Sequence, residues 1–339
     1  MKRMTPMLLT AALCLGVAAC SPQQMVTQML SRQLQNNPSD AYQADTEAIT
    51  VVMVGTGTPM PGERAQAATA VFVNGHFFMF DVGSGAVQKS ENFGLQLSRL
   101  DGIFLTHYHS DHIMGLPNMI GRSWMRGRTH ELTVYGPTGL AGIMESVAGF
   151  TALDNQHRVD HHGAEIMDPT YAGATASEFA LAAGAPQVVY QQDGITITAF
   201  GVDHEPIEPA VGYVVEYRGK KVVISGDTKA TAAVEQMAQG ADLLVHEAML
   251  MELQLQIAEA NAQAGFDRNA KILRDITDYH CSPADVAALA QRAGVKQVVL
   301  THLAPAPDNP RLKRRYMQEM AAFTGTKHVA DDGDVFVVR

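Results

Sequence analysis

Cysteine is scarce in this chain, with three in 339 residues. Cys14 falls inside an N-terminal leader, Cys20 closes that leader, and Cys281 stands alone, so no disulfide framework can hold the mature chain. Stability must come from a core, which 46% hydrophobic residues can supply, and from any metal that binds the folded state. Positive charge is short as well. Lys and Arg number 25 against 35 Asp and Glu, a formal net charge of −10; the leader carries only Lys2 and Arg3, and without those two charges it is −12. Non-specific nucleic-acid binding needs cations to neutralise phosphates, so this balance argues against nucleic acid while leaving room for a small anionic substrate held by metal. There is no visible repeat, and the apolar run Met7–Ala19 is too short to span a bilayer.

That run completes a targeting segment, with Lys2 and Arg3 as its positive start. It ends in Val17-Ala18-Ala19-Cys20, which resembles the bacterial lipobox. The resemblance implies removal of residues 1–19 and lipid on Cys20; an ordinary signal peptide or an uncleaved anchor are the alternatives. Ser21 after the cysteine resembles an outer-membrane sorting signal. The expectation is therefore an exported lipoprotein, periplasmic or at the cell surface, anchored in the outer membrane. Residues 20–46, rich in Gln, Asn and Ser, are expected to be a flexible tether with a short helix within 25–34, and 47–339 a single catalytic domain.

Within that domain, apolar runs predict strands at 49–54, 70–73, 76–80, 103–105, 132–135, 187–190, 195–200, 211–217, 221–225, 243–245, 297–300 and 334–338. Asn74-Gly75 predicts a tight hairpin. Helices are expected over 86–99, after Ile113, from Gly136 to about Gly149, over 230–239 and within 249–275. Another is expected from Ser282-Pro-Ala-Asp285 to Gly294, where the N-cap, first-turn and C-terminal signals are all present. Residues 150–186 show weak periodicity and receive no assignment. Paired strands followed by strands alternating with helices imply a layered α/β protein.

Chemistry gathers where apolar runs stop. Thr106-His107-Tyr108-His109-Ser110-Asp111-His112 packs four metal-binding side chains into six residues. Other strands are expected to release Asp203-His204, Ser225-Gly226-Asp227-Thr228, His246-Glu247 and Thr301-His302 at the same edge, where rigid presentation suits a metal site. The count fits two ions: His107, His109 and His204 for one, Asp111, His112 and His302 for the other, with Asp227 bridging. Asp111 is counted as a catalytic carboxylate as well as a ligand. Imidazole with carboxylate suits Zn2+, with Mn2+ or Fe2+ as alternatives. Two close cations acidify a shared water and can hold the attacking and leaving oxygens of a phosphoryl or sulfuryl centre. Asp81 and Asp203 are expected to orient histidines, and Thr106 and Thr228 to cap backbone. His130, His157, His161, His162 and His328 read as surface residues in loops or at strand edges. Arg122, Arg126 or Arg128 is either an anion clamp or part of a structural ion pair.

These motifs together resemble the metallo-β-lactamase superfamily over residues 48–339, which implies a four-layer αββα sandwich, two sheets flanked by helices. Within it, the branch of ribonuclease Z and the metallo-type arylsulfatases is most similar. Val54-Gly-Thr-Gly-Thr-Pro59, Phe80-Asp-Val-Gly83, Val134-Tyr-Gly-Pro137, Val202-Asp-His204, Ser225-Gly-Asp-Thr228 and His280-Cys-Ser-Pro283 carry the resemblance. True β-lactamases have Cys where Asp227 stands. The branch implies a role for His280 as proton donor to the leaving oxygen, a second-layer ligand partner being the alternative. It also implies a supporting role for His246 and Glu247. The exported leader, the acidic balance and the lack of a basic Gly/Pro-rich arm in 150–186 turn the reading from ribonuclease Z toward the arylsulfatase-like members, which Trp124…Gly127-Arg128 and Val202-Asp-His-Glu-Pro-Ile-Glu-Pro-Ala210 also resemble. The leading expectation is a dinuclear zinc hydrolase of small sulfate or phosphate esters, with a metal-bridged hydroxide as nucleophile. A ribonuclease Z-type endoribonuclease, a lactonase or thioester hydrolase, and a non-catalytic metal-holding envelope protein are the alternatives. A homodimer is counted among the expected assemblies.

Overall fold

The computed structural model describes Ser21, Gln23, 25–27, 38–182 and 185–339. The expected leader and Cys20, the expected site of lipid, lie outside the described residues. Two units are present, Met1–Asn37 and Pro38–Arg339. In the first, the Met25 N–H donates to the Ser21 carbonyl at 2.9 Å, and Gln23 and 25–27 are helical, at the front of the expected 25–34 helix; the rest of that helix lies outside the described residues.

The second unit carries fourteen strands in two seven-stranded sheets. In chain order these are β1 (Ile49–Gly55), β2 (Ala68–Val73), β3 (His76–Phe80), β4 (Gly102–Phe104), β5 (Thr133–Pro137) and β6 (Thr175–Phe179). Next come β7 (Gln187–Gln192), β8 (Ile195–Gly201), β9 (Val211–Tyr217), β10 (Lys220–Ile224), β11 (Leu243–Met249), β12 (Gln297–Ala304), β13 (Thr326–Val329) and β14 (Val335–Val338). The first sheet has the order β14-β1-β2-β3-β4-β5-β6 and the second β13-β12-β11-β10-β9-β8-β7. Their inner faces share one core: Ile49, Val51, Phe78, Phe80 and Phe104 meet Ile197, Tyr213, Val222 and Val245. The outer faces pack on helices, Val52, Phe72 and Ile103 with Leu116 and Ile120 on one side, Val223 and Leu244 with Val286 and Leu289 on the other. Burial on both faces explains why β1 reads as a nearly continuous apolar run, interrupted only by buried Thr50, rather than an alternating one. The architecture is the expected αββα sandwich.

Local signals hold where they are strong. Asn74 and Gly75 both take positive φ, 47° and 85°, as a two-residue hairpin between right-twisted strands requires. The Ser282 hydroxyl accepts from the Asp285 N–H at 3.1 Å, Pro283 opens the helix Pro283–Ala293, and Gly294 ends it at φ 66°.

Other expectations are corrected. The stretch 20–46 expected as a tether includes the helix Pro38–Ala44, which lies on the first sheet: Tyr42 packs on Phe72 at 5.3 Å and Ser39 is buried. The helix expected over 86–99 ends at Asn92, followed by Gly94 at φ 72°. The helix expected to stop near Gly149 runs from Leu140 to His162. A side chain at Gly142 or Gly149 would meet nothing within 4 Å, so these glycines sit on the solvent side, where each costs about 1 kcal/mol without breaking the helix. His157, His161 and His162 consequently lie on a helix and not in loops. Strands β6 and β13 and the helix Pro310–Glu319 had not been expected. The helix-prone stretch 249–275 divides into Met251–Gln263 and Asp267–Asp275.

Strands β3, β4, β5 and β6 run parallel, as do β10, β11, β12 and β13, while β8 shares the direction of β10 through two antiparallel steps across β9. The segments after β4, β8 and β10 therefore emerge along one edge. The remaining donors do not lie beyond strand ends as expected: β11 continues through His246 and Glu247, and β12 through His302, with a shift of register at Glu247/Ala248. His302 takes a positive φ of 45° inside its strand, a conformation few non-glycine residues adopt, and one that changes the direction of its side chain.

Candidate metal centre

The seven-residue turn after β4 is set by backbone contacts on both sides. The Leu105 N–H bonds Tyr135, and the Val211 N–H reaches the Thr106 carbonyl, tying the turn to each sheet. His109 lies on extended backbone, φ −61° and ψ 149°, and its donor atom and that of His107 face one group. His109 precedes the short helix Ser110–Ile113, whose single turn delivers Asp111 and His112. The backbone of this turn lies against Val82-Gly83: the Val82 N–H donates to the His112 carbonyl at 2.7 Å. A Cβ on Gly83 would stand 2.1 Å from the Asp111 carbonyl oxygen, so only glycine allows this approach.

Three further strands complete the cluster. His107, His109, His204 and Asp227 place candidate donor atoms within 4.8 Å of one another, and Asp111, His112 and His302 do the same. Asp227 Oδ2 lies between the groups, 3.9 and 4.0 Å from Nε2 of His107 and His204, and 3.3 and 3.4 Å from Nε2 of His112 and His302. All of these are buried except His109, which is half-buried. His107 Nε2 approaches His109 Nδ1 at 3.1 Å, and His302 Nε2 approaches Asp111 Oδ2 at 3.0 Å.

The outward nitrogens show how the rings are held. His204 Nδ1 donates to the Tyr279 carbonyl at 3.2 Å. His112 Nδ1 donates to Asp81 Oδ2 at 2.8 Å. The Thr106 hydroxyl donates to Asp81, so it accepts from His107 Nδ1 at 3.0 Å. Each bond fixes a hydrogen on Nδ1 and turns the Nε2 lone pair inward, the arrangement a metal ligand requires. His112 Nε2 is fully buried without a hydrogen-bond partner; Asp227 is near, but not in a bonding direction. Burial, with the neighbouring His112 adding, pushes His107 well below the ordinary imidazole range, and burial also lowers His109 and His204. Burial opposes a charge on His112 too, yet Asp227 and Asp81 outweigh it and raise that imidazole well above its usual value. Burial likewise opposes the Asp227 carboxylate, and His302 and His112 overcome this and hold it ionised. Inward lone pairs, neutral rings and a shared carboxylate fit divalent cations, which would take the place of the proton stabilised on His112.

His280 stands beside this cluster. Its Nδ1 donates to Glu247 Oε1 at 2.8 Å, and Nε2 is left for the side of Asp227 and His302, with which it forms a third metal-competent set. Burial works against its charge, but Glu247 and then Asp227 raise its pKa to about 9. Glu247 also accepts from the Thr228 and Cys281 N–H groups, both at 3.2 Å, which fixes it in place.

Several expected roles change. Thr106 orients His107 through Asp81 rather than only capping backbone. Asp81 contacts His112 as expected, whereas Asp203 pairs with Lys229 at 2.9 Å and contacts no ligand histidine. Thr228 does bond backbone, at Asp203 and Lys229. His246 is buried and bonds the Glu247 carbonyl at 2.8 Å, so it supports the Glu247 segment and touches no donor directly. Arg122 and Arg126 pair with Glu91, and buried Arg128 donates to the carbonyls of His130, Tyr171 and Gly173, which leaves none of the three as an anion clamp. Tyr279, which holds His204 through its carbonyl and packs against that ring at 4.8 Å, escaped sequence reasoning because a backbone acceptor has no side-chain signal.

A donor cluster of this kind, at the common edge of two helix-flanked sheets, defines a class of metal-dependent hydrolases. The family model described as "Beta-lactamase superfamily domain" matches residues 76–303, and the chain belongs to the metallo-β-lactamase superfamily. Ribonuclease Z of Mycobacterium bovis (strain BCG / Pasteur 1173P2) is 31% identical over 288 residues, 84% of this chain and 96% of its own length. Ribonuclease Z of Mycolicibacterium paratuberculosis is 33% identical over 262 residues, 76% of this chain and 87% of its own. Among solved structures, the short form of human tRNase Z aligns with TM-score 0.60 and 22% identity over 85% of this chain and 98% of its own. The metallo-β-lactamase fold protein YhfI of Bacillus subtilis aligns with TM-score 0.62 and 18% identity over 86% and 100%. These two structures speak to fold alone. The curated relatives favour the ribonuclease Z alternative over the arylsulfatase-like reading, and they weigh against excluding nucleic acid on charge alone.

Proposed function

We propose that this protein is a two-metal phosphodiester hydrolase of the ribonuclease Z type. The observation that carries the proposal is Asp227, whose Oδ2 lies within 4.0 Å of imidazole nitrogens from both donor groups, beside a buried His280–Glu247 pair. His107, His109 and His204 would hold one cation and Asp111, His112 and His302 the other, with Asp227 shared. Zinc suits this donor set, with manganese or iron as alternatives. Bound cations would supply Lewis acidity toward the phosphoryl oxygens and acidify the attacking water.

The chain's own residues do the rest. Asp81, Thr106 and Tyr279 keep imidazole lone pairs aimed inward. Glu247 orients His280 and keeps it protonated at neutral pH, so that Nε2 can donate to the leaving oxygen. Cations nearby would lower that pKa from its value of about 9 toward the useful range. The lipobox-like leader supports an envelope location with lipid at Cys20.

The test is a substrate panel on zinc-loaded protein: an aryl phosphodiester, a precursor transfer RNA, a phosphomonoester, an aryl sulfate, a lactone and a thioester. Chelator-sensitive turnover of a phosphodiester is the expected result. Turnover confined to the sulfate, or to the lactone and thioester, overturns the proposal in favour of those readings. Two bound metals with no turnover would make the protein a metal holder.

A further inference from the structure

A cavity of about 240 Å³ opens onto the metal-competent cluster. Opposite the donors its walls are mostly apolar. Met60 comes from the loop after β1, Met249 and Ala304 end β11 and β12, and Ile272, Ile276 and Tyr279 come from the segment that leads into His280. Ile272 and Ile276 are four residues apart in helical backbone and so share a face. Ile272 is 44% exposed and Met60 36%, large apolar side chains left uncovered beside polar chemistry. Among the described residues that line the cavity, none is Lys or Arg. Of the adjoining helix Asp267–Asp275, Lys271 pairs with Asp275 at 2.6 Å and Arg274 with Glu259 at 3.2 Å, and neither these nor Arg268 lines the cavity.

We infer that this wall is a leaving-group pocket that selects diesters whose departing alcohol is one uncharged aromatic or alkyl group, and that it refuses a polynucleotide on that side. This rests on the phosphodiesterase reading above. Tyr279 directly precedes His280 and Ile276 lies four residues before it, and all three line the cavity, so the apolar wall and the proton donor approach the same oxygen. In the reaction, water bonds to phosphorus and the bond to the alcohol breaks. The alcohol leaves with the His280 proton, and the proton lost by the water restores His280. Size agrees, since pockets for drug-sized ligands run to roughly 300–1,000 Å³ and this one is smaller. So does solvation. A ring or short alkyl group gains by leaving water for Met60, Ile272 and Ile276, whereas a second phosphate would shed water with no lining Lys or Arg to replace it.

The probes are phenyl phosphate and inorganic phosphate, titrated calorimetrically into the zinc-loaded protein. Phenyl phosphate should bind roughly tenfold tighter or more, the gain expected from burying a ring. Ile276→Ala and Tyr279→Ala should bring that ratio toward one. Ile272→Lys, at an exposed position that does not threaten the fold, should lower the ratio and tighten binding of a dinucleotide. Equal affinities in the unaltered protein, or a full ratio in all three variants, overturns the inference. A phenyl preference lost in the variants, together with no diester turnover in any form, sinks the phosphodiesterase reading and supports the pocket. RNA turnover matching that of aryl diesters does the reverse.

Discussion

His107, His109, Asp111 and His112 come from a single turn between β4 and the helix Leu116–Met125, whereas His204, Asp227 and His302 come from three strands of the other sheet. The first group is held largely by contacts within its own sheet, the Val82-Gly83 backbone beneath it and Asp81 behind it, with a tie to the other sheet through the Val211 N–H. The second group is framed across strands instead: the Thr228 hydroxyl bonds the Asp203 carbonyl, and Glu247 accepts from the Thr228 N–H. Its donors reach the same point only because β8, β10 and β12 share a direction and the two sheets face each other. A contiguous half can be shaped by a few local contacts; a dispersed half needs the whole fold. Asp227 is where the two are joined.

Removing that joint should have the largest effect. Asp227→Ala is expected to lose at least one metal and more than the roughly 100-fold that loss of a ligand's supporting partner costs. Metal analysis alongside kcat/KM checks it, and full metal occupancy would mean that the two halves bind independently. His280→Ala should lower kcat by about 10²–10⁴-fold on poor leaving groups, less on good ones, with metal content unchanged. Loss of metal in that variant would move His280 into the ligand set it geometrically adjoins. Asp81→Ala acts on the contiguous half alone and should weaken metal binding about 10–100-fold, with the ion near His112 lost first. Competition with a chromophoric chelator measures it.

The smallest effect concerns the opposite edge. There His76 at the start of β3 bonds Asp193, at the turn before β8, at 3.0 Å, and Asn74 donates to the Asp193 carbonyl at 2.9 Å. The hydrogen bond to Asp101 raises the His76 pKa; burial opposes this and Asp193 adds to it. A raised imidazole stabilises the fold fully below its ordinary value near 6.5, and the contribution disappears as pH rises through the folded value. The site is partly exposed, so this is worth less than about 1 kcal/mol. Asp193→Asn should therefore lower Tm slightly at pH 5.5 and barely at pH 9; an equal loss at both would assign the link to neutral hydrogen bonds.

The same comparison explains what sequence could show. The turn 106–112 is legible because its donors are adjacent and an apolar strand leads into them. His204, Asp227 and His302 are legible only as isolated polar residues near apolar runs, and their convergence depends on strand direction, which short motifs do not state. Reading His246 and His302 as positions beyond strand ends failed because β11 and β12 continue through them, and a positive φ at a histidine leaves no compositional mark. Helix Leu140–His162 was cut short at Gly149 because glycine usually signals a stop, and nothing in the sequence tells that its missing side chain faces open solvent. Asp203 has the position of an orienting carboxylate, but a neighbouring lysine claims it.

Strand β14 pairs with β1, Val338 opposite Ile49. The sheet that carries the early turn thus receives its edge from residues far along the chain, and the dispersed donors also follow much later. A growing chain cannot assemble the full donor set until nearly all of it is available. Under the export proposed above, with the chain crossing unfolded, the choice of metal would pass from the compartment of synthesis to the compartment of arrival. Protein folded in the cytoplasm without residues 1–19 and protein recovered after export should then differ in metal content, and identical content would show that the site selects its ion by affinity alone.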